Sequence, residues 1–106
     1  MIAPNEEAAL SKLKVELRRN FRLVDFVLFG SKARGEETDE SDIDVMIELE
    51  DCSPELISEL DDIVFGINLE HDCLISTVIF SRKELEEGPM SESPLYRVIM
   101  KDGIRL

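Results

Sequence analysis

A small α/β sandwich, with helices packed on a three-stranded mixed sheet, is the fold class this sequence predicts. Three observations predict it. Leu23 to Phe29 is a nearly continuous apolar run. Asp42 to Glu50 alternates strictly between apolar and acidic or mixed positions. Two longer stretches, around Leu10–Leu17 and Leu56–Ile67, repeat their apolar residues at helical spacing. Strands interleaved with helices in this order suit a sheet covered by helices rather than a bundle or an all-β barrel.

The elements follow in order. Pro4-Asn5-Glu6-Glu7 opens a helix, since proline suits the first turn and acids there favour the positive end of the helix dipole. Leu10, Leu13 and Leu17 form its apolar stripe, Arg18-Arg19 load its last turn, and Asn20 ends it. The run Leu23–Phe29, interrupted only by Asp25, reads as a strand buried on both faces, and Gly30 stops it. Residues 31–41 are polar and turn-like, with room for a short helix. In the next strand Ile43, Val45, Ile47 and Leu49 point one way. Asp42, Asp44, Met46, Glu48 and Glu50 point the other, towards water or ligand.

Ser53-Pro54-Glu55 is a helix cap followed by proline at the first helical position. Leu56, Leu60, Ile63, Val64 and Ile67 trace one face of that helix. Residues 73–80 read as a third strand and Arg82–Glu87 as a short helical turn. A loop over Gly88–Ser93 precedes a last helix from Ser93-Pro94, which carries Leu95, Val98 and Ile99 and closes at Gly103. With no internal repeat and no linker, residues 1–106 are expected to form one domain.

Composition narrows the function. At 43% hydrophobic and 34% charged residues the chain has the profile of a soluble globular protein. No apolar run approaches the ~20 residues of a membrane span, and the N-terminus lacks a secretory signal. Cys52 and Cys73 are too few for a disulfide framework, so a reducing cytoplasmic setting is expected. The net charge is −12, and no Lys or Arg occurs between Gly35 and Arg82. Such a body repels a polyanion, which makes DNA or RNA a poor candidate for the main partner, so no nucleic-acid partner is expected, and a divalent cation or a basic protein surface is a better one. Many of these acids need be no more than a solvated surface.

One constellation carries chemistry. Gly30-Ser31 follows a buried strand and enters a turn or short helix, so its backbone N–H groups can hold a phosphate. Glycine permits close approach, the serine hydroxyl adds a donor, and Arg34 one turn on can reach a phosphate oxygen. Asp42 and Asp44 share a strand face with Cα atoms about 6–7 Å apart. Two such carboxylates can converge on one or two divalent ions, which in pairs about 3.5–4 Å apart serve in-line displacement at phosphorus. Each half alone is common, and an exposed Asp-x-Asp is ordinarily just solvated acid. The two together, in this order on consecutive strands, point to phosphoryl chemistry.

Leu28-Phe29-Gly30-Ser31-Lys32-Ala33-Arg34-Gly35, followed by Ser41-Asp42-Ile43-Asp44-Val45, resembles the signature of the polymerase-β-like nucleotidyltransferases. It is most similar to the minimal nucleotidyltransferase branch, whose spacing is Gly-Ser, ten residues, Asp-x-Asp; here the ten are Lys32 to Ser41. The resemblance extends over nearly the whole chain, including the tail from Ser93 to Ile104. It implies the polymerase-β-like fold and an NTP, ATP first among them, seated by Gly30, Ser31 and Arg34. It further implies Mg²⁺ on Asp42 and Asp44, the catalytic pair, and transfer of a nucleoside monophosphate to a hydroxyl. Many members of this branch are encoded beside a HEPN-type protein, and some act as antitoxins by AMPylating it on a tyrosine. An antitoxin with a HEPN-type partner is therefore the expected biological setting.

One position departs from the family pattern. The third carboxylate usual on the next strand aligns with Ser76. Asp72 has the same strand parity but would lie about 13 Å away, and Glu70 further. This keeps a second reading open, a non-catalytic module of the same fold that inhibits or scaffolds its partner by contact. A small-molecule transferase is a third, disfavoured by the lack of an acceptor-binding domain. Oligomeric state is left open, a homo-oligomer included.

The remaining candidates have plainer explanations. His71, the single histidine, reads as a helix-end residue, and no Cys-x-x-Cys or Gly-x-Ser-x-Gly occurs for zinc or serine chemistry. Cys73 reads as a strand core residue and Cys52 as a loop residue. Phe21, Phe26, Phe29, Phe65 and Phe80 read as core, and Tyr96 as packed on the sheet. Arg18, Arg19 and Arg22 could meet a partner, although the helix C-terminus accounts for the first two.

Overall fold

A computed structural model describes residues 2–35 and 42–106. Helix α1 (Pro4–Asn20) leads to strand β1 (Leu23–Phe29), the short helix α2 (Gly30–Arg34) and strand β2 (Ile43–Leu49). Helix α3 (Pro54–His71) crosses over to β3 (Ile75–Ser81), and α4 (Arg82–Glu87), a 3-10 turn (Pro89–Glu92), α5 (Pro94–Asp102) and β4 (Ile104–Arg105) follow. The polar turn expected over residues 31–41 begins as α2; its continuation, residues 36–41 with Ser41 of the motif, lies outside the described residues.

The sheet has four strands in the order β3-β2-β1-β4, not three. β1 pairs antiparallel with both β2 and β4, while β2 and β3 are parallel across the α3 crossover, so the sheet is mixed. The added strand has only two residues, too few for a period-2 pattern. It forms because Gly103 lets the chain pass close to β1: a Cβ there would lie 2.3 Å from Val27 Cγ1 and 2.4 Å from the Ile99 carbonyl oxygen. Leu106 N–H then donates to Phe26 C=O at 2.8 Å.

Two cores flank the sheet. On one face Leu10, Leu13 and Leu17 of α1 and Leu60, Val64 and Ile67 of α3 pack on Phe26, Leu28, Ile43, Val45, Ile47 and Ile75. Each such side chain, fully buried, contributes about 1.5–3 kcal/mol. On the other face Leu85 of α4 and Ile99 of α5 cover Val27, Met46 and Phe80, and Tyr96 stacks edge-on to Phe80 at 5.2 Å. This second core corrects the expected open face of β2. Met46 is 0% and Glu48 only 5% exposed, so the middle of that face is covered, while Asp42 before the strand and Glu50 after it are exposed and Asp44 is half-buried. Asp25 interrupts the apolar run of β1 because it faces Glu48 across the strands and pairs with Arg105 at 3.0 Å, while Arg82 reaches Glu48 at 3.5 Å.

Helix α3 begins as its sequence requires, Ser53 Oγ accepting from Leu56 N–H at 3.2 Å. It ends at His71, with Asp72 in the left-handed conformation (φ 50°) as its C-cap. Asp72 is thus a helix cap, not part of the third strand, and Cys73 also precedes that strand. Phe65 departs from its expected core position: it is 66% exposed on α3. Among the described residues no helix is long and apolar enough to cross a membrane.

Candidate active site

The site forms where β1 hands over to α2 above the start of β2. Phe29 is in register with Asp44, so the residue after Phe29 turns directly over that carboxylate. The turn demands glycine twice over. Gly30 has φ +75°, and a Cβ on it would lie 2.4 Å from Asp44 Oδ2. Ser31 follows in α2, half-buried, and Arg34 lies exposed in the last turn of that helix.

Asp44 is half-buried and Asp42 exposed just before β2. Burial pushes the Asp44 carboxyl above its ordinary pKa, the charge of Asp42 pushes it the same way, and Arg34 opposes both. These couplings group Asp42, Asp44 and Arg34 electrostatically, with Gly30 in steric contact with Asp44. Of the sequence-predicted residues, Gly30 is set directly against Asp44, Asp42 and Arg34 act on the charge of Asp44, and Ser31 follows Gly30 in α2.

Ser76 lies exposed on β3 in register with Asp44. Asp72 is removed from the site by its place at the end of α3. Among the described residues no group of three or more His, Cys, Asp or Glu side chains comes together to hold a metal ion.

One positioning contact escaped the sequence reading. Lys32 of the Gly-Ser-Lys turn is buried, and its Nζ meets Glu6 Oε1 at 3.0 Å with side chains 4% and 13% exposed. The same Glu6 oxygen accepts from Ala3 N–H at 3.0 Å. Glu6 thereby closes the first turn of α1, where Ala3 has no side-chain acceptor, and anchors α2 to it. Because 26 positions separate the partners, no local charge pattern announces the pair.

The comparisons with known proteins agree with this geometry. The family model described as nucleotidyltransferase domain matches residues 10–106. The chain belongs to that family. The putative protein adenylyltransferase MJ1215 of Methanocaldococcus jannaschii is 37% identical over 73 residues, which are 66% of this chain and 84% of that protein. The putative protein adenylyltransferase MJ1379 of the same organism is 44% identical over 50 residues, 47% of this chain and 50% of that protein.

Solved structures share this family member's fold. The structure of a putative minimal nucleotidyltransferase matches with TM-score 0.68 and 20% identity over 100% of this chain and 97% of its own. A chain of a toxin-antitoxin crystal structure with AMP-PNP matches with TM-score 0.64 and 22% identity over 93% of this chain and 70% of its own. At such identities the likeness is one of architecture.

Proposed function

We propose that this nucleotidyltransferase-family protein is an Mg²⁺-dependent enzyme that passes AMP from ATP to a hydroxyl on a protein partner, in an antitoxin role towards a HEPN-type protein. The observation that carries the reading is the seating of the Asp44 carboxylate against Gly30, with Asp42 and Arg34 beside it. A phosphate-binding turn and an acidic strand end converge there. The names of the two archaeal relatives and of the toxin-antitoxin structure with AMP-PNP support the chemistry and the setting.

The residues fit a divalent cation. Two oxygen-donor carboxylates, one poorly solvated and each repelling the other, gain from a cation that neutralises them, and Mg²⁺ characteristically takes one or two carboxylates plus substrate phosphates. When bound, the metal would polarise the α-phosphate and lower the pKa of the acceptor hydroxyl. Asp42 and Asp44 are its proposed ligands. The Gly30-Ser31 backbone and the Ser31 hydroxyl hold the β- and γ-phosphates, and Arg34 adds charge. In the reaction the acceptor oxygen bonds to the α-phosphorus and the bond to the β-phosphate oxygen breaks. Pyrophosphate leaves and the acceptor proton passes to solvent. Reducing cytoplasm is the proposed setting, and residues 1–106 act as one transferase unit.

Isothermal titration of ATP with and without Mg²⁺, repeated on Asp42→Ala, tests the site. Metal-dependent binding lost in the variant is the expected result; binding indifferent to metal and to the substitution would sink the assignment. A second reading, inhibition of the partner by contact alone, is favoured by Ser76 standing beside Asp44 in place of a carboxylate. Mass spectrometry of the HEPN-type neighbour after incubation with Mg·ATP separates the two, since only the enzyme adds AMP to it.

A further inference from the structure

We infer that the free edge of β3 is a strand-addition site for an extended, basic segment of a partner polypeptide. β3 is the edge strand of the sheet. Its ladder to β2 begins with Ile43 N–H donating to Leu74 C=O at 2.9 Å, so residues 74, 76, 78 and 80 turn their backbone groups inward. Ile75, Thr77 and Ile79 turn theirs outward. Asn68 of α3 takes up those of Ile75, its Oδ1 accepting from the N–H at 2.9 Å and its Nδ2 donating to the C=O at 3.3 Å. Among the described residues the outward groups of Thr77 and Ile79 meet no partner.

Protein edges are ordinarily guarded by charge, proline or a bulge. β3 has none: Ile75–Ser81 contains no charged residue and no proline, and its pairing with β2 is continuous. Asn68 fixes which side of α3 overlies this edge, and Phe65 shares that side at helical spacing. Phe65 is 66% exposed, and Leu74 just before the strand is 56% exposed. A segment laid along β3 would cover both.

Charge selects the occupant. Every charged side chain from residue 36 to residue 81 is acidic, His71 aside, and this stretch holds β2, α3 and β3. A second copy at net −12 would bring the same acids to the edge, whereas a segment rich in Lys or Arg complements them. The register adds a consequence that rests on the transferase reading. A side chain of the docked strand opposite Ser76 faces the same side of the sheet as Asp44, two strand spacings (about 10 Å) away. The short Ser76 leaves that lane open, so a hydroxyl on a long side chain can reach the Asp42/Asp44 end.

The test uses a short peptide of alternating lysine and valine with a central tyrosine, and the same peptide N-methylated at two adjacent residues to block both its edges. Saturable binding by fluorescence anisotropy is expected, with amide exchange at Thr77 and Ile79 slowed at least about tenfold. N-methylation and Thr77→Pro should each weaken binding by about tenfold or more. Thr77→Pro removes no ladder bond to β2 and should leave Mg·ATP binding unchanged. Absence of peptide binding, equal binding of the methylated peptide, or binding without protection of those two amides would overturn the inference. So would a wild-type dimer that Thr77→Pro dissociates, which would give the edge to a second copy. Failure of the wild-type protein to bind ATP, with the peptide results intact, would count against the transferase reading alone.

Discussion

Asp44 and Gly30 are in direct steric contact, the carboxylate of one filling the space where the other would carry a side chain: Oδ2 lies 2.4 Å from that position. Gly30→Ala must therefore displace Asp44 as well as force alanine to φ +75°. The strain alone costs about 1–2 kcal/mol. The expected protein is folded, melts several degrees lower and loses Mg²⁺-dependent ATP binding. Thermal melting and titration calorimetry check both parts, and wild-type binding by the variant would dissociate the turn from the site.

The pairing of Asp44 with Ser76 across parallel strands gives a gain-of-function prediction. Ser76→Asp places a third carboxylate on the exposed neighbour of Asp44. Mg²⁺-dependent ATP binding should tighten by about tenfold, since a further oxygen donor would join the two proposed ligands, Asp42 and Asp44. The Mg²⁺ concentration for half-maximal binding is the readout. A weaker Mg²⁺ requirement with unchanged affinity for metal-free ATP is the expected pattern.

The environment of Asp44 sets a pH dependence. Burial first and Asp42 second raise its pKa, so the folded protein holds this proton more tightly than the unfolded chain does. The contribution of Asp44 to stability therefore falls as pH rises from the ordinary aspartate value through the raised one. At neutral pH Asp44→Asn should gain stability while losing metal-dependent binding. On acidification, Mg·ATP binding by the wild type should fail above the ordinary aspartate range, because the metal needs ionised ligands. Asp42→Asn should move the Asp44 titration to lower pH, which carbon NMR of the carboxyls can follow.

The Lys32–Glu6 pair should matter more than a surface ion pair. Lys32→Met leaves a largely buried carboxylate with only the Ala3 N–H, and the expected loss is about 2–3 kcal/mol in urea unfolding. Adding Glu6→Gln should recover part of it, because the uncompensated charge is then gone. A loss of a few tenths of a kcal/mol would instead mean that α2 is held by its apolar contacts alone.

Much of the fold was legible because it rests on local rules. The alternation of Asp42–Glu50 marked β2, and Ser53-Pro54 marked the start of α3. Leu10, Leu13 and Leu17 are all buried as their spacing requires. The Gly-Ser to Asp-x-Asp order singled out Gly30, Asp42, Asp44 and Arg34, and the fold sets Gly30 against Asp44. Periodicity assigns residues to a face without saying what will cover it. Met46 and Glu48 were read as open because α4 and α5, the elements that cover them, lie far along the chain. Phe65 was misread for the converse reason: an apolar side chain on a helix says nothing about whether a neighbour arrives.

The sequence by itself determined the longer helices, the three longer strands and their order, and it proposed the residues of the candidate site, since helix caps, strand alternation and a glycine turn act over a few residues. Only the tertiary structure decided the contacts between distant positions. It joined β4 to β1, locked Lys32 to Glu6, set Ser76 beside Asp44 and, among the described residues, left the outward backbone groups of Thr77 and Ile79 without a partner. Those contacts depend on how packed layers bring remote segments together, and burial is a property of the assembled layers rather than of any short stretch of chain.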